Sequence, residues 1–597
     1  MCGIVGYTGK RQATPILLHG LEKLEYRGYD SAGIAVQTHG IHIVKTKGRL
    51  QNLLPFTSGL TGNCGVGHTR WATHGEPSQI NAHPHQSSDG KVALVHNGIL
   101  ENYAELKAEL LSLGYTFRSQ TDTEVIANFL ARRLTLGETP LIALRQFAER
   151  ARGTYAVAVL FEGYTDEIYA ARKDSPLIVG VGEGETYLAS DVSALLAFTR
   201  KVYYVDDGET VRLTRARVEF FNEAGDPVRK TPTEITWSAE GTEKGGYPHF
   251  MLKEIHEQPQ AVRNTLRSFE RVGLTQTELR EIEELYIVAC GSAYHAGVAA
   301  AYAIEGLAKL PVRVELASEF RYKNPLLTEK TLVVIVSQSG ETADSLAALR
   351  EAKGRGVKTL AVVNVRGSAI AREADLVFYT VAGPEIAVAT TKAYSTQLIA
   401  GYLLALELAK ARGKIDEGEY ARLYRELQTL PRKMEEILQK QEEIEALSKR
   451  LTAAQNIFFI GRGVDYAVSL EGSLKMKEIS YIHSEAYAAG ELKHGTLSLI
   501  EEGVWTVSVL TQSRLTEKTL SNIMEVKSRG GKILAVATEG TPVEEIADGT
   551  IFLPKTEEVF SASLAVIPLQ LLSYFVSVAR GLDVDKPRNL AKSVTVE

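Results

Sequence analysis

The sequence predicts a multidomain fold in which one α+β lobe is followed by two doubly wound α/β lobes. Three observations carry this expectation. The chain has 597 residues, more than one hydrophobic core supports. Short β-like runs give way near residue 240 to alternating strands and helices. Beyond that point one stretch of sequence is repeated.

The first lobe opens on "MCGIVGYTGK" and continues through "AGIAV", "IHIVK", "KVALVHNGIL", "GTYAVAVLF", "EIYAAR" and "ETVRLT", punctuated by Gly, Asp and Asn. Such runs predict mostly antiparallel sheets. Amphipathic helices are expected at 101–113 and 124–134. The stretch "SAEGTEKGGY" is small, charged and Gly-rich, as linkers are. The expected limits are 1–238 for the first lobe, 239–247 for the linker, 248–425 for the second lobe and 426–597 for the third.

The repeat sets the second half. "YIVACGSAYHAGVAAAYAIE" is similar to "IFFIGRGVDYAVSLEGSLKMKE", with Gly291 and Gly461 170 positions apart. "LVVIVSQSGETADSLAALREAKGRGVKTLAVV" is similar to "WTVSVLTQSRLTEKTLSNIMEVKSRGGKILAV", with Gln338 and Gln512 174 apart. Two elements that hold register this closely indicate a duplicated doubly wound unit. A helical segment near 416–449, rich in Glu, Lys and Leu, joins the copies.

Composition narrows the functional classes. With 44% apolar and 23% charged residues the chain reads as a globular protein. A net charge of -6 without a dense Lys/Arg stripe argues against nucleic acid. Three cysteines, widely spaced and odd in number, do not make a disulfide framework and fit a reducing cytoplasm. The opening has no signal-peptide pattern. The longest apolar stretches, 398–408 and 564–579, are short or carry Pro568 and Gln570, so no membrane span is expected.

One loop in the first repeat has the chemistry of an anion site. The apolar strand 332–336 ends at Ser337-Gln338-Ser339-Gly340-Glu341-Thr342, and a helix follows. Parallel sheets bind ligands at the carboxyl ends of their strands, where free N–H groups and the helix dipole favour anions. A helix cap alone would need a single hydroxyl. Here three hydroxyls and a glycine gather, which points to phosphate. No Lys of a GxxxxGK[ST] loop is present, which argues against a nucleoside triphosphate. The twin loop "LTQSRLTEKT" lacks the glycine and is expected to have drifted to a supporting role.

Cys2 is the second candidate. Removal of Met1 would place an α-amine, titrating near 7.7–8.0, on the residue that carries the thiol. The amine can then serve as general base for its own side chain. The alternative is a small buried cysteine, the usual role of the residue.

The neighbouring motifs decide between them. "CGIVGY", "EYRGYDSAGIA", "GVGHTRWATHG", "HNGILENY" and "TDTE" follow in order within about the first 125 residues. This set resembles the glutamine amidotransferase domain of the N-terminal-nucleophile hydrolases. "VSQSGETADS", "TTKAYSTQL", "EGSLKMKEISYIHSEAYAAGELKHG" and "KPRNLAKSVTVE" extend the resemblance over essentially the whole chain. The chain is thus similar to the family of isomerising glutamine–fructose-6-phosphate aminotransferases, whose second half is two sugar isomerase (SIS) domains.

The resemblance implies an enzyme that makes glucosamine 6-phosphate and glutamate from fructose 6-phosphate and glutamine, with no PLP, nucleotide or metal. It implies Cys2 as nucleophile, with Asn97 and Gly98 forming the oxyanion hole. Arg70 would take the glutamine α-carboxylate and Asp122 its α-amine. Thr73, His74 and Gly75 would line the pocket, and Trp71 would gate the path of ammonia. Bland alternatives exist for each of the main groups. Thr121-x-x-Glu124 is a capping-box pattern that would explain Asp122, and Asn97-Gly98 is a turn dipeptide. His68, His74, His83, His85 and His96 fit no common zinc spacing. Cys64 and Cys290 read as small apolar residues.

In the second half the resemblance assigns the sugar phosphate to Ser337, Gln338, Ser339 and Thr342, with Ser292 beside them. Val388, Thr390 and Ala591 would line the sugar. Where the family commonly has Thr-Ser, this chain has Ser292-Ala293, which removes one hydroxyl. Glu471, Lys475 and Glu478 share one helical face by spacing, a pattern that also fits a surface ion pair. The family reading makes Glu478 the base that moves a proton between C1 and C2, with Lys475 beside it. His494 matches a ring-opening histidine supplied by a neighbouring subunit, so a homodimer is implied. Lys592 matches the lysine that forms an imine with the ketose.

Rival readings have weaker support. The SGGxDS loop of asparagine synthetases is absent. "VDDGET", the nearest match to the acidic motif of phosphoribosyl-pyrophosphate amidotransferases, precedes a strand and reads as a turn. A non-catalytic sugar-phosphate sensor would not need Cys2 or Lys592.

Overall fold

Alternation with a period of two builds the first lobe. In the strand Gly3–Thr8, Ile4 faces one apolar cluster while Val5 and Tyr7 face another. In Val92–Leu100, Ala93 and Val95 join the Ile4 cluster, and Val92 and Leu94 point the opposite way. Two antiparallel sheets, of eight and seven strands, therefore meet across a shared apolar layer. The helix Ala13–Leu24 covers the outer face of the first sheet. Thr123–Thr135 and Pro140–Arg150 cover the second.

The computed structural model describes residues 2–72, 74–235, 243–268 and 273–595. They divide into one unit of Met1–Thr242 with Ala591–Glu597, and another of Glu243–Leu590. Residues 239–242 of the expected linker, and Thr73, lie outside the described residues.

The second unit contains two five-stranded parallel sheets of identical strand order. In the first, Val312–Leu316, Glu284–Ala289, Thr331–Ser337, Lys358–Val363 and Leu376–Tyr379 lie side by side. In the second the order is His483–Ala488, Asn456–Gly461, Trp505–Leu510, Lys532–Thr538 and Gly549–Leu553. Strands buried on both faces read as unbroken apolar runs, as in "LVVIV". One apolar cluster runs through both sheets. The helices Glu417–Gln439 and Gln441–Ser448 connect the copies and bury Leu423, Leu427, Leu430, Met434 and Ile437 at helical spacing.

One ground of the membrane expectation is corrected: Pro568 does not interrupt the last long helix. The helix Ala562–Ala579 continues through Pro568. With the turn before it, Glu558–Ala579 is long and apolar enough to cross a membrane by length and composition. Its most apolar stretch is 94% buried inside the protein, and Gln570 accepts a hydrogen bond from Gln258 at 2.8 Å. Burial against the helices Val464–Ser480, Gln441–Ser448 and Glu417–Gln439 accounts for its hydropathy.

Candidate active sites in the two units

Cys2 is held because the strand that follows it is internal. Gly3–Thr8 pairs with Glu185–Ala189 on one side and Cys64–Arg70 on the other. This pairing sets the half-buried Cys2 against the Trp71 peptide. Trp71 N–H donates to Cys2 Sγ at 3.2 Å, and the thiol faces Trp71 O at 3.4 Å. Burial pushes the thiol up, against the opposing pull of the Trp71 bond and Arg70.

Asn97 and Gly98 lie within a strand and make no turn. Gly98 pairs with Tyr155 at φ +129°, and a Cβ there would strike the Thr154 carbonyl, so only glycine fits. Asn97 Nδ2 donates to Cys2 O at 2.9 Å. His68 Nε2 lies 3.1 Å from Asn97 Oδ1 and 3.0 Å from His96 O. With two acceptors before it, Nε2 carries the proton, and burial lowers the ring to about 3, keeping it neutral. His68 thereby fixes which way the Asn97 amide points. Nothing in the sequence pattern singled out this role.

Arg70 is buried. One guanidinium nitrogen donates to the carbonyls of His74 and Gly75, the latter at 3.1 Å, while Nη1 has no partner. A buried, half-satisfied guanidinium suits a carboxylate ligand. The half-buried Trp71 packs edge-on against Tyr29. Asp30, another residue that the sequence reading missed, accepts from Ala72 N–H at 2.9 Å and so ties down the segment after Trp71. The capping-box explanation of Asp122 fails. No side-chain cap forms at the start of Thr123–Thr135. Glu124 turns back to Arg118 N–H at 2.8 Å and to the Ser119 hydroxyl at 2.7 Å. Asp122 Oδ2 instead accepts from Leu100 N–H at 2.9 Å, beyond the Asn97-Gly98 pair. His68 stacks on His83, and His83 meets His85 edge-on. Burial depresses His83, His85 and His96 as well.

In the second unit, the candidate anion loop follows Thr331–Ser337 at the switch point beside Glu284–Ala289. Ser337 Oγ and Thr342 Oγ1 are 3.1 Å apart. Gly340 N–H donates to Ser337 Oγ at 3.1 Å, and Glu341 N–H to Ser339 Oγ at 3.2 Å. Gly340 sits at φ +65° against Ser368, leaving no room for a side chain. Gln338 O accepts from Asn364 N–H at 3.1 Å.

The twin loop has the same place in its sheet but is filled by the chain's own carboxylates. Thr511 gives its N–H (2.9 Å) and its hydroxyl to Asp465, and Ser513 N–H donates to Glu558 at 2.9 Å. A phosphate there would meet two anions. This physical difference between the copies stems from Asp465, which lies 170 positions after His295.

Glu471, Lys475 and Glu478 do not form a surface pair. Lys475 and Glu471 have no side-chain exposure and Glu478 only 20%. Lys475 pairs with Glu478 and lies 3.5 Å from Glu471. Burial alone would lower the Lys475 ammonium, but Glu478 and Glu471 outweigh it and hold it up. Ser292 donates to Glu471 Oε1 at 2.9 Å, and His295 Nδ1 lies 2.9 Å from Oε2. Ser292, on the helix Gly291–Ala308, thus reaches the array on Val464–Ser480. Val388 is buried, with its N–H on Asp585 O at 3.0 Å, and Thr390 is half-buried. His494 is exposed on its own copy, apart from this network. Ala591 and Lys592 group with the first unit.

Known proteins match both halves. A glutamine amidotransferase domain family matches residues 68–197, and the SIS domain family matches 278–407 and 450–580. The glutamine–fructose-6-phosphate aminotransferase [isomerizing] of Caldanaerobacter subterraneus subsp. tengcongensis is 53% identical over 610 residues, covering 100% of both chains. The enzymes of that name from Clostridium acetobutylicum and Thermus thermophilus are 51% and 50% identical, again over 100% of both chains. The solved C-terminal domain of glucosamine-fructose-6-phosphate aminotransferase from Francisella tularensis is 40% identical with a TM-score of 0.55, covering 57% of this chain and 99% of its own. With these similarities spanning its full length, the chain belongs to the family of isomerizing glutamine–fructose-6-phosphate aminotransferases.

Proposed function

We infer that this protein converts glutamine and fructose 6-phosphate to glutamate and glucosamine 6-phosphate, the entry to amino sugar synthesis. The observation that carries the reading is the presence, in one chain, of two unlike sites. One is a thiol beside a fixed amide donor. The other is a buried Glu–Lys–Glu array in the same unit as an open anion loop.

On this reading Met1 is removed and the Cys2 amine takes the thiol proton. Sulfur attacks the glutamine amide carbon. Asn97 Nδ2 and Gly98 N–H meet the developing oxyanion, each worth about 2.7–4 kcal/mol. The ammonium formed at the first step returns its proton to the leaving nitrogen, ammonia departs, and water cleaves the thioester to glutamate. Arg70 and Asp122 hold the two ends of the amino acid, Thr73, His74 and Gly75 line its pocket, and Trp71 gates an internal path for ammonia.

At the sugar site, Ser337, Gln338, Ser339 and Thr342 hold the phosphate. Ser292, Val388, Thr390 and Ala591 line the sugar. His494 of a second copy opens the ring, which makes the working form a homodimer, expected in the cytoplasm. Lys592 condenses with the C2 ketone and loses water, ammonia replaces it at C2, and Glu478 carries the proton from C1 to C2 with Lys475 alongside.

The test is to mix the protein with both substrates and assay glutamate together with hexosamine. Formation of both in equal amounts supports the reading. Glutamate alone would indicate a different amidotransferase or a glutaminase, and neither product would indicate a sensor.

A further inference from the structure

Glu471 is a fully buried carboxylate, and a buried carboxylate oxygen left without a donor is destabilising. Its Oε1 takes the Ser292 hydroxyl at 2.9 Å and lies 3.5 Å from Lys475 Nζ. Its Oε2 has His295 Nδ1 at 2.9 Å. A carboxylate only accepts, so Nδ1 is the donor in this contact. Lys475 stands between two carboxylates and is closer to Glu478 than to Glu471.

We propose that His295 is a positioning residue for the sugar half-reaction: by satisfying Glu471 Oε2 it leaves Lys475 to Glu478. Glu471, with both oxygens already accepting, attracts the ammonium from 3.5 Å and leaves the shorter contact to Glu478. Deprived of His295, it draws Lys475 toward itself, and Glu478 loses the partner that fixes its carboxylate. The proposal rests on the reading of Glu478 as the base.

The repeat supplies an independent argument. The contact joins residues 176 apart, one on each copy. At the position equivalent to His295 the second copy has Asp465, which cannot donate as an anion and is turned to Thr511. At the position equivalent to Glu471 the first copy has Ala301. The His–Glu contact is therefore no general feature of the doubly wound unit. It occurs once, where the first copy meets the helix carrying Lys475 and Glu478.

The test compares His295→Ala with His295→Asn, since the Asn amide nitrogen sits as many bonds from Cα as Nδ1 and also donates. Hexosamine formation and glutamine hydrolysis are measured for both. His295→Ala is expected to lower kcat for hexosamine about tenfold or more. KM for fructose 6-phosphate should stay within about threefold. His295→Asn should restore most of kcat, and glutamine hydrolysis should hold in both variants. Wild-type kcat in His295→Ala, an equal loss in His295→Asn, or loss of glutamine hydrolysis would each overturn the proposal. Absence of hexosamine from the wild-type protein would instead remove the functional reading, and this proposal with it.

Discussion

Asn97 Nδ2 donates to the Cys2 carbonyl at 2.9 Å while His68 holds the other end of the same amide at 3.1 Å. The amide is thus oriented before glutamine arrives, which is the condition for an effective oxyanion donor. Replacing Asn97 with Ala should lower kcat for glutamine hydrolysis about 10²–10³-fold with little change in KM. Steady-state kinetics decide: a raised KM at unchanged kcat would make Asn97 a binding residue.

The pH dependence of glutamine hydrolysis should follow the amine. Burial raises the Cys2 thiol, so near neutrality little thiolate exists without a base. The α-amine accepts the proton only when itself unprotonated, which requires a pH near or above about 7.7–8.0. The rate should therefore climb through that range and level off above it. Protein that retains Met1, identified by mass, should be inactive toward glutamine at every pH.

The two anion loops should respond unequally. Ser339 stands in the loop whose carboxylate, Glu341, accepts from Ala369 N–H at 2.9 Å, whereas the twin loop gives its own N–H groups to Asp465 and Glu558. Ser339→Ala removes a hydroxyl donor to a charged ligand, worth about 1.5–3 kcal/mol, and should weaken fructose 6-phosphate binding about tenfold to a hundredfold. Ser513→Ala should leave affinity unchanged. Calorimetric titration of the two variants would refute the assignment if they weakened alike.

Much of this arrangement was legible from residue order. The 170- and 174-residue offsets revealed the duplication, because parallel strands and their loops leave apolar runs and turn residues at fixed places. Three hydroxyls and a glycine after an apolar strand marked the loop proposed for the phosphate. Other relations were hidden because they join distant segments. Ser292 meets Glu471 across 179 residues, and Asp465 meets Thr511 across 46. Thr121-x-x-Glu124 even pointed the wrong way: Glu124 found the N–H groups of Arg118 and Ser119, which a local capping rule does not weigh. Helical spacing grouped Glu471, Lys475 and Glu478 correctly, but only packing of the helix Gly291–Ala308 against them distinguishes a buried array from a solvated face.

Asp465 should make stability pH-dependent in a defined direction. Burial raises its carboxyl from an ordinary 3.8 to about 6, against the opposing pull of the Thr511 bonds. Folding therefore favours the protonated form. The contribution is complete below about pH 3.8 and is lost as pH rises through about 6, a change on the order of 3 kcal/mol. Asp465→Asn does not titrate. The unfolding free energy of wild type relative to that variant should fall between pH 4 and 7, as read from denaturant melts. A difference that is flat or grows with pH would show that the carboxyl is not raised.

Lys592 offers the sharpest separation of the two half-reactions. A lysine forms an imine only through its uncharged amine, and arginine keeps the positive charge while offering no such nucleophile. Lys592→Arg should leave hydrolysis of glutamine intact, since that chemistry needs only Cys2 and its pocket. Hexosamine formation should fall below detection. Borohydride reduction in the presence of fructose 6-phosphate should add the mass of a hexose phosphate less one oxygen, the reduced imine, to a peptide containing Lys592 in wild type and to none in the variant. Hexosamine still formed by Lys592→Arg, or an adduct on another lysine, would move the covalent step elsewhere in the chain.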